Sequence, residues 1–188
     1  MSFVFLPINV RKSYEQRTTD KRQMTNNMFT IRANYSDTVE VKTSLEAVRE
    51  FFADIRNFIE LMPGIESIHT DSKGVTHWKI YAEVPLVGSF SQKFAVELAE
   101  NSEERIEWSP VAGESRNFLR YAAEFLEKST NSTLVNFSQI VELRRNSARE
   151  LHLLAGIAGE NIISREMSKR IAEMIKIFVQ KAKNKLEK

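Results

Sequence analysis

The chain has 188 residues, of which 42% are hydrophobic and 28% are charged, so it can bury one substantial core. Its 27 basic and 25 acidic residues give a net charge of +2, and before Phe29 five basic residues stand against two acidic ones. The rest of the chain is therefore close to neutral, which gives little support for binding to nucleic acid. The lack of cysteine excludes disulfides and thiolate metal sites, and it agrees with a cytoplasmic location.

The first 27 residues show no sustained helical or strand periodicity, and their mixed polar composition is typical of a loosely ordered leader. Met24 and Met28 are alternative natural starts, so the sequence leaves open whether residues 1–27 are present in the native protein. Residues 28–188 are expected to form a single ligand-binding domain.

Residues 29–41 alternate between apolar and polar side chains, which predicts a long half-buried strand. Thr43 or Ser44 can cap a short helix, because apolar residues then recur at helical spacing. Asp54 can cap a second short helix, and the Pro-Gly pair at 63–64 ends it.

The remainder of the chain predicts strands followed by one helix. Six strand-like segments with short turns between them predict an antiparallel meander, at 65–70, 75–84, 89–98, 105–109, 118–126 and 133–143. The apolar spacing then changes to three and four residues from Ile163 to Ala182, which predicts a long amphipathic helix. The predicted fold class is α+β, with a curved seven-stranded antiparallel sheet wrapped around a long C-terminal helix and two short helices after strand 1.

This order of elements, with LMPGIESI after the paired helices and AGIAGENII before the long helix, resembles the helix-grip superfamily of START, polyketide-cyclase and coenzyme Q-binding domains (SRPBCC). Within that superfamily the chain looks most like the carbon monoxide dehydrogenase G group. The resemblance covers about residues 29–186. It implies a hydrophobic cavity between the sheet and the C-terminal helix, which different members use for lipids, quinones, hormones or polyketides.

Strand alternation and helical spacing indicate which side chains face that cavity. Gln92 and Gln139 fall on inward positions, where an amide needs a partner; it either contacts a ligand or bonds to neighbouring backbone or a buried water. Methionines at helical spacing either adapt to a ligand or simply fill the core. The expected ligand-binding residues are Tyr35, Met62, Trp78, Phe90, Gln92, Phe94, Trp108, Tyr121, Phe137, Gln139, Met167, Ile171 and Met174.

No catalytic residue, metal or cofactor is predicted. His69, His77 and His152 fall on different predicted elements, and neither a Gly-x-Ser-x-Gly elbow nor a phosphate-binding Gly-rich loop is present. Non-enzymatic binding of a hydrophobic small molecule is therefore favoured. A cyclase-like or dehydratase-like enzyme remains an alternative, because confinement and one or two polar groups leave no sequence motif.

Basic residues concentrate near the C-terminus, in the Arg144-Arg145-Arg149 cluster and along Lys181–Lys188. Such a surface can contact an anionic membrane or a protein partner, or it can simply be solvated. The resemblance to the carbon monoxide dehydrogenase G group implies docking to a larger redox enzyme. No apolar run reaches the roughly 20 residues that span a bilayer, so membrane contact is expected to be peripheral at most.

Overall fold

A computed structural model describes residues 28–85, 88–151 and 155–188 of the chain. The expected leader at 1–27 and His152 lie outside the described residues. The predicted element order is confirmed. The elements are β1 (Phe29–Val41), α1 (Leu45–Ala53), α2 (Ile55–Leu61), β2 (Ile65–Thr70), β3 (Thr76–Val84), β4 (Gly88–Asn101), β5 (Arg105–Pro110), β6 (Asn117–Ser129), β7 (Ser132–Arg145), α3 (Ala155–Ala158) and α4 (Glu160–Leu186).

The seven strands form one antiparallel sheet in the order β1-β7-β6-β5-β4-β3-β2. Consecutive strands from β2 to β7 are neighbours, as the short turns between them predict. The first strand returns to pair with the last along its whole length, from Phe29 opposite Arg145 to Val41 opposite Thr133. The curled sheet and its C-terminal helix confirm the predicted α+β architecture.

Both short helices begin at the capping residues that the sequence indicates. The Ser44 hydroxyl accepts a hydrogen bond from the Ala47 backbone N–H at 3.3 Å, and the Asp54 carboxylate accepts one from the Arg56 N–H at 2.9 Å. These side chains satisfy helix N–H groups that would otherwise lack an acceptor. No helix in the described parts of the chain is long and apolar enough to cross a bilayer.

The long helix α4 covers the free edge of the sheet. As an edge strand, β1 leaves N–H groups without a strand partner, and α4 side chains accept from them. The amides of Thr30, Arg32 and Lys42 donate to Glu160 at 3.0 Å, Ser164 at 3.1 Å and Glu187 at 2.8 Å, respectively. These contacts fix both ends of α4 along β1.

The C-terminal half of α4 packs on a cluster of phenylalanines from α1, α2 and β7. Phe178 is fully buried, and the Phe58 ring stacks on it with centroids 4.6 Å apart. The rings of Phe52 and Phe137 lie 5.9 and 6.1 Å from the Phe178 ring. Aromatic burial of this kind supplies much of the stabilising contact area in a small domain. This end of the interior is therefore filled by side chains.

The basic residues near the C-terminus do not form one uniform exposed surface. Arg145 is only 9% exposed, because its guanidinium turns inward to polar acceptors. Lys183 donates to the Glu40 carbonyl at 2.7 Å, and Lys185 pairs with Glu60 at 2.9 Å. Part of the basic charge therefore anchors α4 to β1 and α2.

Candidate functional site

A cavity lies between the first half of α4 and the inner faces of β3, β4 and β7. Eleven of its fourteen lining residues are apolar, and the three polar ones come from β4, β7 and α4. The lining residues are Met62, Ile80, Ala82, Val84, Gln92, Phe94, Gln139, Val141, Leu143, Met167, Arg170, Ile171, Met174 and Ile175.

The enclosed part of the cavity is small. The space that the centre of a water molecule can reach is about 50 Å³, and about 570 Å³ of atom-free space is present when open solvent is included. We take the smaller value as the size of the enclosed part, since one water needs roughly 10–15 Å³ by this measure. A lipophilic ligand larger than a few waters must therefore extend into the opening or displace side chains. Met62, Met167 and Met174 line the cavity and have the flexibility for such movement.

The turn after α2 forms a fixed part of the cavity wall. Gly64 has a φ of +84°, and the Tyr81 backbone N–H donates to its carbonyl at 2.7 Å. A Cβ at this position would lie 2.6 Å from the Tyr81 carbonyl oxygen and 3.0 Å from the Met174 methyl carbon. Only glycine fits both this backbone conformation and this close approach. The turn is thus bonded to β3, which does not favour the free hinge that a Pro-Gly pair can form.

Gln92 is held in one orientation by a buried arginine. Arg145 donates from Nη2 to the Gln92 side-chain oxygen at 2.7 Å and to the Asn117 side-chain oxygen at 2.8 Å. A guanidinium can only donate, so the oxygen of Gln92 must face Arg145 and its amino group is the end left over. Burial lowers the pKa of Arg145. Gln92 is therefore a positioned hydrogen-bond donor in the cavity wall.

Gln139 is 9% exposed and makes no side-chain hydrogen bond within the described residues. On the sheet it lies opposite Tyr121 of β6 and Tyr35 of β1. An amide in an apolar surrounding gains from any partner that supplies a donor or an acceptor. Of the two alternatives for the inward amides, Gln92 meets the protein partner expected of a satisfied core residue, whereas Gln139 does not.

Seven of the thirteen expected ligand-binding residues line the cavity together: Met62, Gln92, Phe94, Gln139, Met167, Ile171 and Met174. Phe90 lies on β4, but its side chain is outside the described parts of the structure. The remaining five, Tyr35, Trp78, Trp108, Tyr121 and Phe137, do not line the cavity.

Those five residues belong to neighbouring parts of the interior or to its margin. Trp78 and Tyr121 both pack against Phe58, with ring centroids 5.5 and 5.2 Å from it, and Phe137 joins the phenylalanine cluster. Trp108 is buried on β5. The period of a strand places all of them inward but does not tell where along the interior the space is filled.

The hydroxyls of the two expected tyrosines are poorly suited to acid–base chemistry. The Tyr35 hydroxyl donates to the Asp37 carboxylate at 2.9 Å, and burial together with Asp37 raises its pKa to about 12. Burial also raises the pKa of Tyr121. The Tyr121 hydroxyl and the Trp78 indole N–H are both buried without an acceptor in the described structure. Neither tyrosine is disposed to lose a proton at neutral pH.

Arg170 is the residue that the sequence interpretation missed. It follows Met167 by three positions and precedes Met174 by four, so helical spacing places it beside the predicted apolar stripe of α4. A long arginine stem can line an apolar wall while its guanidinium reaches the surface. That spacing is the signal that would have identified it.

The chemistry of the site rests on shape, hydrogen bonds and one cation. The described lining residues include no carboxylate, imidazole or hydroxyl. No three His, Cys, Asp or Glu side chains in the described ranges lie close enough together to hold a metal ion. The arrangement can therefore enclose an apolar group and contact its polar substituents, and it has no evident general acid or base.

Solved structures with the same fold are found by comparison. The chain is similar to the di-domain ARO/CYC StfQ of the steffimycin biosynthetic pathway, with a TM-score of 0.58 and 8% identity, covering 84% of this chain and 51% of that one. The Zhui aromatase/cyclase from Streptomyces sp. R1128 gives 0.56 and 11%, covering 80% and 93%. A START superfamily protein from Mycobacterium smegmatis gives 0.53 and 16%, covering 82% and 97%.

These likenesses confirm the helix-grip fold. The chain spans about half the length of the StfQ structure. No protein-family model matches the chain, and no curated protein sequence matches it. The expected closeness to the carbon monoxide dehydrogenase G group stays a prediction, since none of these three structures belongs to that group.

Proposed function

We propose that this helix-grip protein binds a hydrophobic small molecule in the cavity between its sheet and α4. The observation that carries the proposal is the composition of the cavity wall, in which eleven apolar side chains surround two amides and one guanidinium. Ligand sites typically combine an apolar wall with a few polar groups that orient the guest. A lipid, quinone, isoprenoid or polyketide-like molecule has the matching chemistry.

The position of the cavity also supports binding. The aromatic cluster fills the interior near Phe178, whereas three methionines and smaller aliphatic side chains surround the space near the start of α4. Flexible methionines can move aside at a low energetic cost compared with packed aromatic rings. We expect the guest to enter at this end and to enlarge the small enclosed space by moving Met62, Met167 and Met174.

The test is to fill the cavity without disturbing the outer surface. Ala82 lines the cavity, so Ala82→Trp should occupy the space and reduce uptake of the neutral dye Nile red by about tenfold or more, since the lost burial of apolar area dominates its binding. Ala99→Trp is the matched control, because Ala99 is exposed on β4 and does not line the cavity. Circular dichroism checks that both variants are folded.

Native mass spectrometry of the purified protein gives an independent measurement. A released lipophilic molecule, lost in Ala82→Trp and kept in Ala99→Trp, supports the proposal. Equal dye binding by wild type and Ala82→Trp, with no released molecule, overturns it.

A cyclase-like activity is the second candidate, favoured by the three polar groups spaced around an apolar space. Confinement of a flexible poly-β-ketone chain near such groups can favour one ring closure over others. The test is to incubate the protein with a synthetic poly-β-ketone and to compare cyclised products by mass spectrometry between wild type, Gln92→Leu and Gln139→Leu. Unchanged product ratios in all three, equal to those without protein, reject this candidate. Docking to a larger redox enzyme remains a prediction that co-purification from the native host can test.

A further inference from the structure

Arg170 lies where the cavity meets the protein surface. It lines the cavity, and it also lines a shallow depression together with Glu83, Val84, Pro85 and Gly88. Its side chain is 43% exposed as a whole, yet its Nε atom is buried. The guanidinium thus spans the boundary between the apolar space and the solvent.

One edge of this guanidinium has no acceptor. Nη1 donates to the Glu173 carboxylate at 3.2 Å, while Nε is buried without a hydrogen-bond partner among the described residues. Nη2 likewise makes no hydrogen bond there. Nε and Nη2 carry parallel N–H groups and form the side edge of the fork, which matches the two oxygens of a carboxylate. Glu173 leaves that edge free.

The surrounding charges do not satisfy the free edge. Glu83 lines the same depression but forms no ion pair with Arg170 in the described structure. Arg145, which backs the cavity through Gln92, is buried with neutral acceptors only and also lacks an ion-pair partner there. A buried donor without an acceptor is unfavourable, and two cations near one apolar space attract an anion.

We propose that the natural ligand is an amphipathic carboxylate whose acid group binds the Nε and Nη2 edge of Arg170 at the cavity mouth. Its apolar body extends inward between Met167 and Met174, and the Gln92 amino group is available to an oxygen on that body. This inference rests on the proposed function, since it names the chemical class of the ligand for the same cavity.

The experiment compares three ten-carbon compounds that differ only at one end: decanoate, methyl decanoate and decanol. Isothermal titration calorimetry at pH 7 should show decanoate binding about tenfold or more tightly than the two neutral compounds, as a charge-assisted hydrogen-bond pair implies. Arg170→Gln should abolish this preference and leave affinity for decanol nearly unchanged. Arg170→Lys should retain part of it, because it keeps the charge but not the forked edge.

Arg165→Gln is the matched control, because Arg165 is 67% exposed on the same helix and does not line the cavity. It should retain the full preference for decanoate. Equal affinity for the three compounds, or a preference that survives in Arg170→Gln, overturns this inference while leaving hydrophobic binding intact. Failure of all three compounds and of Nile red to bind overturns the proposed function itself. Circular dichroism confirms folding of each variant before titration.

Discussion

The ring of Phe58 lies nearly parallel to the ring of Phe178, with their centroids 4.6 Å apart and 21° between their planes. This contact joins α2 to the C-terminal half of α4. One helical turn before Phe178, Met174 faces the cavity instead. The same helix therefore closes a filled core at one end and a partly hollow one at the other.

The first prediction concerns the filled end. Phe178→Ala should lower the free energy of unfolding by about 3–5 kcal/mol, because it removes a fully buried ring that contacts several other phenylalanines. Urea unfolding followed by tryptophan fluorescence measures the change. Ile177→Ala, at an exposed position one residue earlier, should change it by less than about 0.5 kcal/mol. Similar losses in the two variants would contradict a stabilising aromatic cluster.

The second prediction isolates the close approach at the cavity wall. Gly64 and Gly74 share a φ of +84°, but at Gly64 a Cβ would meet the Tyr81 carbonyl oxygen at 2.6 Å, whereas at Gly74 it would have open space. Both alanine variants incur the cost of a left-handed backbone, about 1–2 kcal/mol. Gly64→Ala should lose about 1–3 kcal/mol more, as overpacked sites do.

Chemical denaturation of the Gly64→Ala and Gly74→Ala variants, in parallel with wild type, provides the comparison. The difference between the two variants cancels the shared backbone cost. If both are destabilised equally, the bond between Gly64 and Tyr81 does not hold the turn as tightly as the geometry indicates.

The third prediction concerns pH and the outer face of the sheet. The Glu107 carboxylate accepts two hydrogen bonds from Arg120, at 2.7 and 2.8 Å, and also contacts Arg105 and Ser109. These donors, Arg120 foremost, lower its pKa from 4.5 to about 2. A carboxylate with a lowered pKa in the folded state stabilises the fold above its unfolded pKa. That contribution is lost as the pH falls from about 4.5 toward 2.

The measurement is the free energy of unfolding of wild type and Glu107→Gln between about pH 2 and pH 7. Wild type should be more stable at pH 7, and the difference should shrink steadily below about pH 4.5. Glu103→Gln, in the exposed turn before β5, should follow wild type across the range. A difference that stays constant with pH would show that Glu107 is not held by these arginines.

Local patterns in the sequence account for most of the fold. Alternation in 29–41, the capping residues Ser44 and Asp54 and the three-four spacing after Ile163 are each set by neighbours within a few positions, and the structure reproduces them. Short turns between the strands from β2 to β7 leave few alternatives to a meander. The pairing of β1 with β7 is a long-range contact, and its prediction depended on the family resemblance.

The site was less accessible from the sequence, for two physical reasons. Strand parity placed Tyr121, Phe137 and Gln139 on the same inner surface, but it cannot say which of them meets another ring and which meets empty space. Contacts between distant residues were also invisible: Gln92 and Arg145 are 53 positions apart, and no local pattern predicts that one orients the other.

The division of α4 into a packed half and an open half has an evolutionary consequence. Substitutions around the methionines can alter which guest is accepted while the phenylalanine cluster continues to hold the fold together. Selection for a new specificity then need not compete with selection for foldability, because the two demands fall on different turns of one helix.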